Sequence, residues 1–449
     1  MKNLITTIKN IYKVEELRTK IGNTILFLLI YRFGSFVVLP GVDPAALDPL
    51  KQQTSDGILG ILDMFSGGAF SNASIFALGI MPYISASIVI QLLTIAVPYF
   101  AKMQKEGESG RKKMNQFTRY LTVIITVFQA PSYLVNLNQQ LDANAFQDSS
   151  GFFMVSSSII LVAGTMFIMW LGERITDRGI GNGISMIIMV GIIANLPSAI
   201  VSEFGSRVNQ QNGGLVMFVV ELLILLLIVI MCIMLVQGIR RIPVQVAKRI
   251  QGNQQIGGVR QYIPLRVNTA GVMPIIFAQA IMFIPITIAG FANSESMQGF
   301  MATFANPTSF WYSFTFALLI IVFTYFYTAI TVNPKNMAEE MKRSGGFIPG
   351  VKPGKATAEF IDSIMSRITL PGSIFLAIVA ILPSLAMVMG VSNKFAQFFG
   401  GTSLLILVGV VLDTLQQIES HLLMRQYDGL MKSGRIKGRT ATAPVSMAS

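Results

Sequence analysis

Ten apolar runs, each about long enough to cross a bilayer as a helix, constrain this chain more than any other feature. They lie near Gly22–Leu39, Ile75–Ala101, Phe117–Leu137, Phe152–Leu171 and Ile184–Ile200, then Leu215–Val236, Gly271–Phe291, Phe310–Val332, Leu370–Met389 and Phe399–Ile418. A bilayer core takes about 20 residues of helix. Lipid offers no partner to a backbone N–H or C=O, so spanning segments are expected to be helical. A transmembrane β-barrel would show alternating segments of about 10 residues, which these are not. Composition agrees, since only 12% of the residues are charged, against roughly 25% in soluble domains. The first run ends at Leu39-Pro40-Gly41 without a small-residue cleavage site, so it reads as a retained span. The lone Cys232 leaves no disulfide or cysteine metal cluster within the chain.

Charge supplies orientation. With the N-terminus placed inside and sides alternating at each run, the inner side carries 30 of the 34 Lys and Arg, counting Arg119 at the inner end of its run. Lys51, Arg207 and Lys394 fall outside and Arg32 falls within a run. This is the asymmetry the positive-inside rule expects, and an error of one span would scatter it. For the N-terminal and first inner loops, a purely topogenic role and a further role are both open. Two longer loops call for more. Gly238–Asn268 holds Arg240, Arg241, Lys248, Arg249, Arg260 and Arg266 with no acid, and Asn333–Arg367 contains a Gly/Pro-rich stretch around Lys352. Uncompensated basic loops attract anionic partners such as RNA, acidic lipid headgroups or acidic protein surfaces.

The second and seventh runs share a pattern, Gly79-Ile80-Met81-Pro82-Tyr83-Ile84 against Gly271-Val272-Met273-Pro274-Ile275-Ile276. Each belongs to the second run of a five-run half. Five is odd, so the halves enter the membrane from opposite faces, the signature of an inverted repeat. Gly181-Asn182-Gly183-Ile184-Ser185 and Gly400-Gly401-Thr402-Ser403-Leu404 repeat the theme more weakly at the fifth and tenth runs.

Ahead of the second run lies Gly57–Phe70, apolar but too short to span. It reads either as an interfacial helix or as a re-entrant piece able to fill a cavity, with Gly67-Gly68 as its end and hinge. Ionisable residues within runs are few. Arg32 and Glu221 lie within about two turns of outer ends, close enough to snorkel. Asp413, followed by Gln416 and Gln417, reads as one satisfied polar pair. No metal spacing, paired carboxylate, phosphate loop or nucleophile–base pair points to an enzyme, and no cofactor is implied. Isoleucines mark the Gly-bearing runs: Ile80, Ile84, Ile184, Ile188, Ile276 and Ile406. Singly these are ordinary packing. Converging, they would form a stiff apolar constriction that excludes ions by dewetting.

These stretches resemble the SecY family, the pore-forming subunits of the protein-conducting channel. The likeness runs from about Glu16 to about Lys437. It is carried by Met64-Phe65-Ser66-Gly67-Gly68-Ala69, Ala77–Ser87, Lys105-Glu106-Gly107-Glu108-Ser109-Gly110-Arg111, Trp170-Leu171-Gly172-Glu173, Gly179–Ser185 and Gly400–Ile406. The resemblance implies an all-α polytopic membrane protein. Ten transmembrane helices would form two inverted five-helix halves, a clamshell around an hourglass pore.

It also implies roles. The six isoleucines match the pore ring. The plug comprises Gly57, Ile58, Leu59, Ile61, Leu62, Met64, Phe65, Ser66, Gly67 and Gly68. The lateral gate comprises Met81, Pro82, Ser85, Ser87, Gln91, Pro274, Phe277 and Ile281. Arg240, Arg241, Lys248, Arg249, Lys342, Arg343, Lys352 and Lys355 match the docking surface for the ribosome and the motor ATPase SecA. Implied partners are SecE and SecG, signal peptides and nascent chains, membrane lipid, and SecDF and YidC. The implied site is the bacterial inner membrane, with both termini cytoplasmic.

The expected organisation is an N-terminal arm (1–21), halves at 22–213 and 214–423, and a C-terminal tail (424–449). Lys352 stands where the family usually has Arg, keeping the charge but losing the planar donor fork. Asn253 and Gln254 stand where many relatives carry a basic pair. A secondary transporter with the same inverted repeat is the alternative from another class, and a membrane scaffold is a third.

Overall fold

The computed structural model describes residues 14–47, 50, 58–141, 145–146, 151–209, 214–246, 249–251, 254–256, 260–289, 306 and 308–432. Gly57, Lys248 and Asn253 lie outside them, as do the N-terminal arm's first 13 residues and the tail beyond Lys432.

The spans are α1 (Glu15–Gly34), α3 (Met81–Ala96), α5 (Glu108–Gln140), α6 (Gly151–Arg178) and α7 (Gly183–Asn209), then α8 (Gly214–Gln237), α9 (Met273–Ala289), α10 (Phe310–Thr331), α12 (Lys355–Val388) and α14 (Gly401–Lys432). Shorter helices are α2 (Ile58–Ser66), α4 (Pro98–Lys105), α11 (Pro334–Arg343) and α13 (Asn393–Ala396). Among the described residues, seven helices are long and apolar enough to cross a membrane unaided. The other three spans are the charge-bearing α1 and the short α3 and α9, of 20, 16 and 17 residues. The apolar run predicted over Ile75–Ala101 is not one helix. Turns occupy Ile75–Ile80, and α3 meets α4 at a bend of 101°, where Pro98 starts the new helix. The run predicted over Leu370–Met389 is the far part of a 34-residue helix.

Glycine and proline in the repeat motif start helices; they do not sit inside them. Gly79 (φ +57) and Gly271 (φ +62) each stand two residues before the first residue of α3 and α9, with Pro82 and Pro274 at the second helical position. A left-handed glycine followed by a first-turn proline is a helix start. The same device at the same place in both halves supports the inverted repeat.

Helix packing in lipid depends on close approach at small residues, because tails are as apolar as side chains. A Cβ on Gly172 of α6 would lie 3.0 Å from Ile184 of α7, and one on Gly34 of α1 would strike the Phe76 ring. The halves are joined unevenly. α7 packs on both α8 and α14, and α8 packs on α14, so one side of the molecule is a broad junction. On the other side, among the described residues, α3 and α9 have little direct packing and rest instead on α5 and on α10. A thick junction opposite a thin seam is the arrangement a clamshell needs.

The long basic loop, whose local structure the sequence left open, is an antiparallel ribbon. β1 (Ile239–Val246) pairs along its length with β4 (Arg260–Arg266), and β2 (Arg249–Gln251) pairs with β3 (Gln254–Ile256). The second basic loop joins it, since β5 (Gly346–Phe347) pairs with the end of β1. Ile242, Val244, Leu265, Met341, Ile348, Ile361 and Met365 form the apolar cluster that ties ribbon, α11 and α12 together. The two loops are one structural unit, here termed the basic end.

Candidate functional site

The site lies where α2 enters the space between the halves. The helix α2 ends at Ser66, where Gly67 (φ +67) and Gly68 (φ +85) turn the chain in conformations that favour glycine. Gly67 also presses on α7. A Cβ there would lie 2.9 Å from the Gly191 Cα. The helix packs on α7, and this seat favours the re-entrant reading of Gly57–Phe70 over an interfacial one. Ile58, Leu59, Ile61 and Leu62 lie on α2, while Met64, Phe65 and Ser66 are buried at its end.

The six isoleucines all fall in or against one apolar cluster that also contains Met64 and Phe65. Ile84, Ile188, Ile276 and Ile406 line a cavity with Phe65, Met81, Ser85 and Gln279. Its volume is about 10 Å³, room for roughly one water. Ile80 is buried beside them, and Ile184 packs against Gly172 of α6. Four spans, α3, α7, α9 and α14, thus each give an isoleucine to the lining of this cavity, beside Phe65 at the end of α2.

On the side away from the basic end, a polar cavity of about 240 Å³ opens over α2, lined by Arg32, Asp63, Asn72, Asn195 and Lys394 among others. Burial pushes the Asp63 carboxyl above its usual range, against the pull of the Ser71 N–H, Lys394 and Arg32. Asp63 Oδ1 accepts that N–H at 2.8 Å. The Arg32 side chain does not snorkel as expected. It donates to the Gly67 carbonyl, while Tyr31 Oη donates to the Ser66 carbonyl at 3.0 Å.

Of the residues expected at the seam, Met81 and Ser85 face Ile276 and Gln279 across the small cavity. Pro82 and Pro274 are buried at the helix starts, and Ser87 and Gln91 are half-buried. Phe277 turns away, stacking on Phe323 and meeting Tyr327 of α10 at 5.7 and 6.3 Å between ring centroids. Ile281 is exposed. Sequence reasoning missed Gln279, a buried glutamine one turn beyond Ile276. A polar residue in so apolar a helix was the available signal.

At the basic end Arg240, Arg241, Lys342, Arg343, Lys352 and Lys355 are exposed, and Arg249 lies on β2. Lys352 sits at the tip of the second loop, its carbonyl accepting from Thr357 Oγ1 at 2.9 Å. Arg266 is not free for a partner: it lies 4.0 Å from Asp413 and 3.2 Å from Gln416 of α14. Asp413 is therefore part of an exposed pair at the ribbon's base, and not a buried intramembrane charge. Glu221 does not snorkel either; it is buried against Arg207.

Comparison with known proteins bears on the family and the fold. The SecY family model matches residues 74–415. The protein translocase subunit SecY of Halalkalibacterium halodurans is 44% identical over 450 residues, covering 96% of this chain and 100% of that one. Its namesake from Escherichia coli K12 is 42% identical over 430 residues, covering 94% and 96%. A solved structure described as a protein conducting channel superposes with a TM-score of 0.58 at 17% identity, covering 95% of each chain. Sec61 in a canine ribosome–channel complex superposes at 0.54 with 16% identity and the same coverage. The matched length and the identity to these relatives lead to one conclusion: the chain belongs to the SecY family.

Proposed function

We infer that the chain is a protein-conducting channel of the membrane, passing unfolded polypeptides that bear signal sequences. The observation that carries this is the tip of α2, with Phe65 seated among Ile84, Ile188, Ile276 and Ile406. A constriction lined by apolar side chains offers an unfolded chain no hydrogen bonds, so it holds no particular sequence. An apolar ring around a removable apolar helix seals against ions and still yields to a chain.

The seam between α3 and α9 serves as the lateral gate, with Met81, Ser85 and Gln279 at its edge. An apolar signal helix binds the open state better than the closed one and shifts the population toward it. The thin packing at this seam favours opening here. At the junction of α7, α8 and α14 the halves stay together.

The basic end is the docking surface for SecA and the ribosome, through Arg240, Arg241, Lys342, Arg343, Lys352 and Lys355. Energy comes from these partners, as the chain itself catalyses no reaction. SecE and SecG complete the complex, and SecDF, YidC and acidic lipid work beside it. The setting is the bacterial inner membrane, with the basic end and both termini cytoplasmic.

Reconstitution with SecA, ATP and a signal-bearing precursor tests the reading, scored by protection of the precursor from added protease. Protection that needs SecA and ATP supports a channel. Uptake of a small solute driven by an ion gradient, with no precursor protected, would instead establish a secondary transporter.

A further inference from the structure

The bonds that hold α2 in place differ between its two parts. Among the described residues, the body near the constriction rests on the apolar contacts of Met64 and Phe65, with Ser403 Oγ donating to Met64 Sδ at 3.2 Å and Asp63 Oδ1 accepting the Ser71 N–H at 2.8 Å. The end is held by directional bonds from the first span. Tyr31 Oη donates to the Ser66 carbonyl at 3.0 Å and Arg32 Nη1 donates to the Gly67 carbonyl. Carbonyls at a helix C-terminus lack intrahelical partners and carry partial negative charge. A guanidinium is charged at any physiological pH, so the Arg32 bond is charge-assisted. Stacking of Arg32 over Phe36, 4.6 Å from the ring centroid, holds the guanidinium in place. Just beyond, Tyr133 Oη of α5 donates to the Phe70 carbonyl at 3.0 Å. The chain between Ser66 and Phe70 is thus pinned by α1 and α5 on either side of the Gly67-Gly68 turn. Over that turn lies the polar cavity, lined by Asp63 before it and by Ser71 and Asn72 after it.

We propose that Tyr31 and Arg32 are positioning residues that anchor the plug's C-terminal end to the first span. This rests on reading α2 as the plug of an isoleucine-ringed pore. The anchor sets where the plug returns after each opening. Its loss lowers the closed population without touching the ring.

The test uses the whole channel complex purified from membranes, in a Cys232→Ala background. Met64→Cys with Ser403→Cys reports the seated plug by disulfide yield. Resting ion conductance in planar bilayers reports the seal. Arg32→Ala is expected to lower the yield and to raise resting conductance about tenfold, the scale of one lost charge-assisted hydrogen bond. Arg32→Lys restores part of both, and Tyr31→Phe shifts both in the same direction by less. If Arg32→Ala fails to accumulate, the Lys and Phe variants decide. Parental yield and conductance in the accumulating variants would overturn the anchor. Deleting residues 58–66 separates the two readings: no rise in conductance there would remove the plug assignment itself, whereas a leaky deletion beside a sealed Arg32→Ala removes only the anchor.

Discussion

Arg207 of the fifth span donates to Glu221 of the sixth at 2.5 Å, across the junction between the two halves. The same guanidinium bonds Glu203 of its own helix at 2.9 Å and the Gly390 carbonyl beyond α12 at 2.9 Å. Glu203 in turn accepts the Ser392 N–H at 2.9 Å. All three charged side chains are buried, at 1% to 6% exposure, where an ion survives only if paired. The cluster fastens α7 to α8 and to the segment leading into α14. It lies on the thick side of the clamshell, at the end away from the ribbon.

Removing the cation should therefore be costly. Arg207→Met leaves two buried carboxylates without their counter-ion and is expected to destabilise the protein by about 3–5 kcal/mol. Thermal unfolding in detergent measures this. An unshifted transition would mean that the junction holds without the cluster. Glu221→Gln keeps one acceptor for Arg207 and should cost less.

The ring is tested at its seal. Ile84→Gly with Ile276→Gly removes two stiff side chains from a cavity that now admits about one water. Resting ion conductance is expected to rise well above that of the parent channel. An unchanged conductance would place the seal elsewhere.

Gly191 allows α2, the proposed plug, to end against α7. A Cβ there would lie 3.1 Å from the Gly67 nitrogen and the Phe65 carbonyl oxygen. Gly191→Ala should push the plug from its seat and raise resting conductance, by less than the double ring variant. SecA binding, measured separately at the basic end, should not change.

Crosslinking tests the seam. Ser85→Cys and Gln279→Cys, in a Cys232→Ala background, place thiols on two residues that line one cavity between α3 and α9. Oxidation is expected to stop transport of signal-bearing precursors, and reduction to restore it. Full transport through the crosslinked channel would move the gate to another pair of helices.

Lys352 tests the docking surface. Lys352→Glu reverses an exposed charge at the loop tip and is expected to abolish SecA-driven transport while the channel still accumulates in the membrane. Lys352→Arg should support transport at least as well as the parent, because the planar fork binds carboxylates in a bidentate way.

The spans, their five-plus-five order and the basic loops were legible along the chain. Lipid forces the backbone to pair within each segment, so an apolar run of about 20 residues implies a helix without knowledge of its neighbours. Gly67-Gly68 was legible as a helix end for the same local reason. What only the tertiary structure decided depends on residues far apart in sequence. Arg32 meets Gly67 at a separation of 35 residues, and Arg207 meets Gly390 at 183. Hydropathy merges Ile75–Ala101 into one run because it does not register a turn that backbone bonds and neighbouring helices satisfy. The two basic loops became one surface only when β5 paired with β1. In sequence Arg32 and Glu221 show only as charges near the ends of apolar runs. Their partners, Gly67 and Arg207, were brought within bonding distance by the packing of other elements.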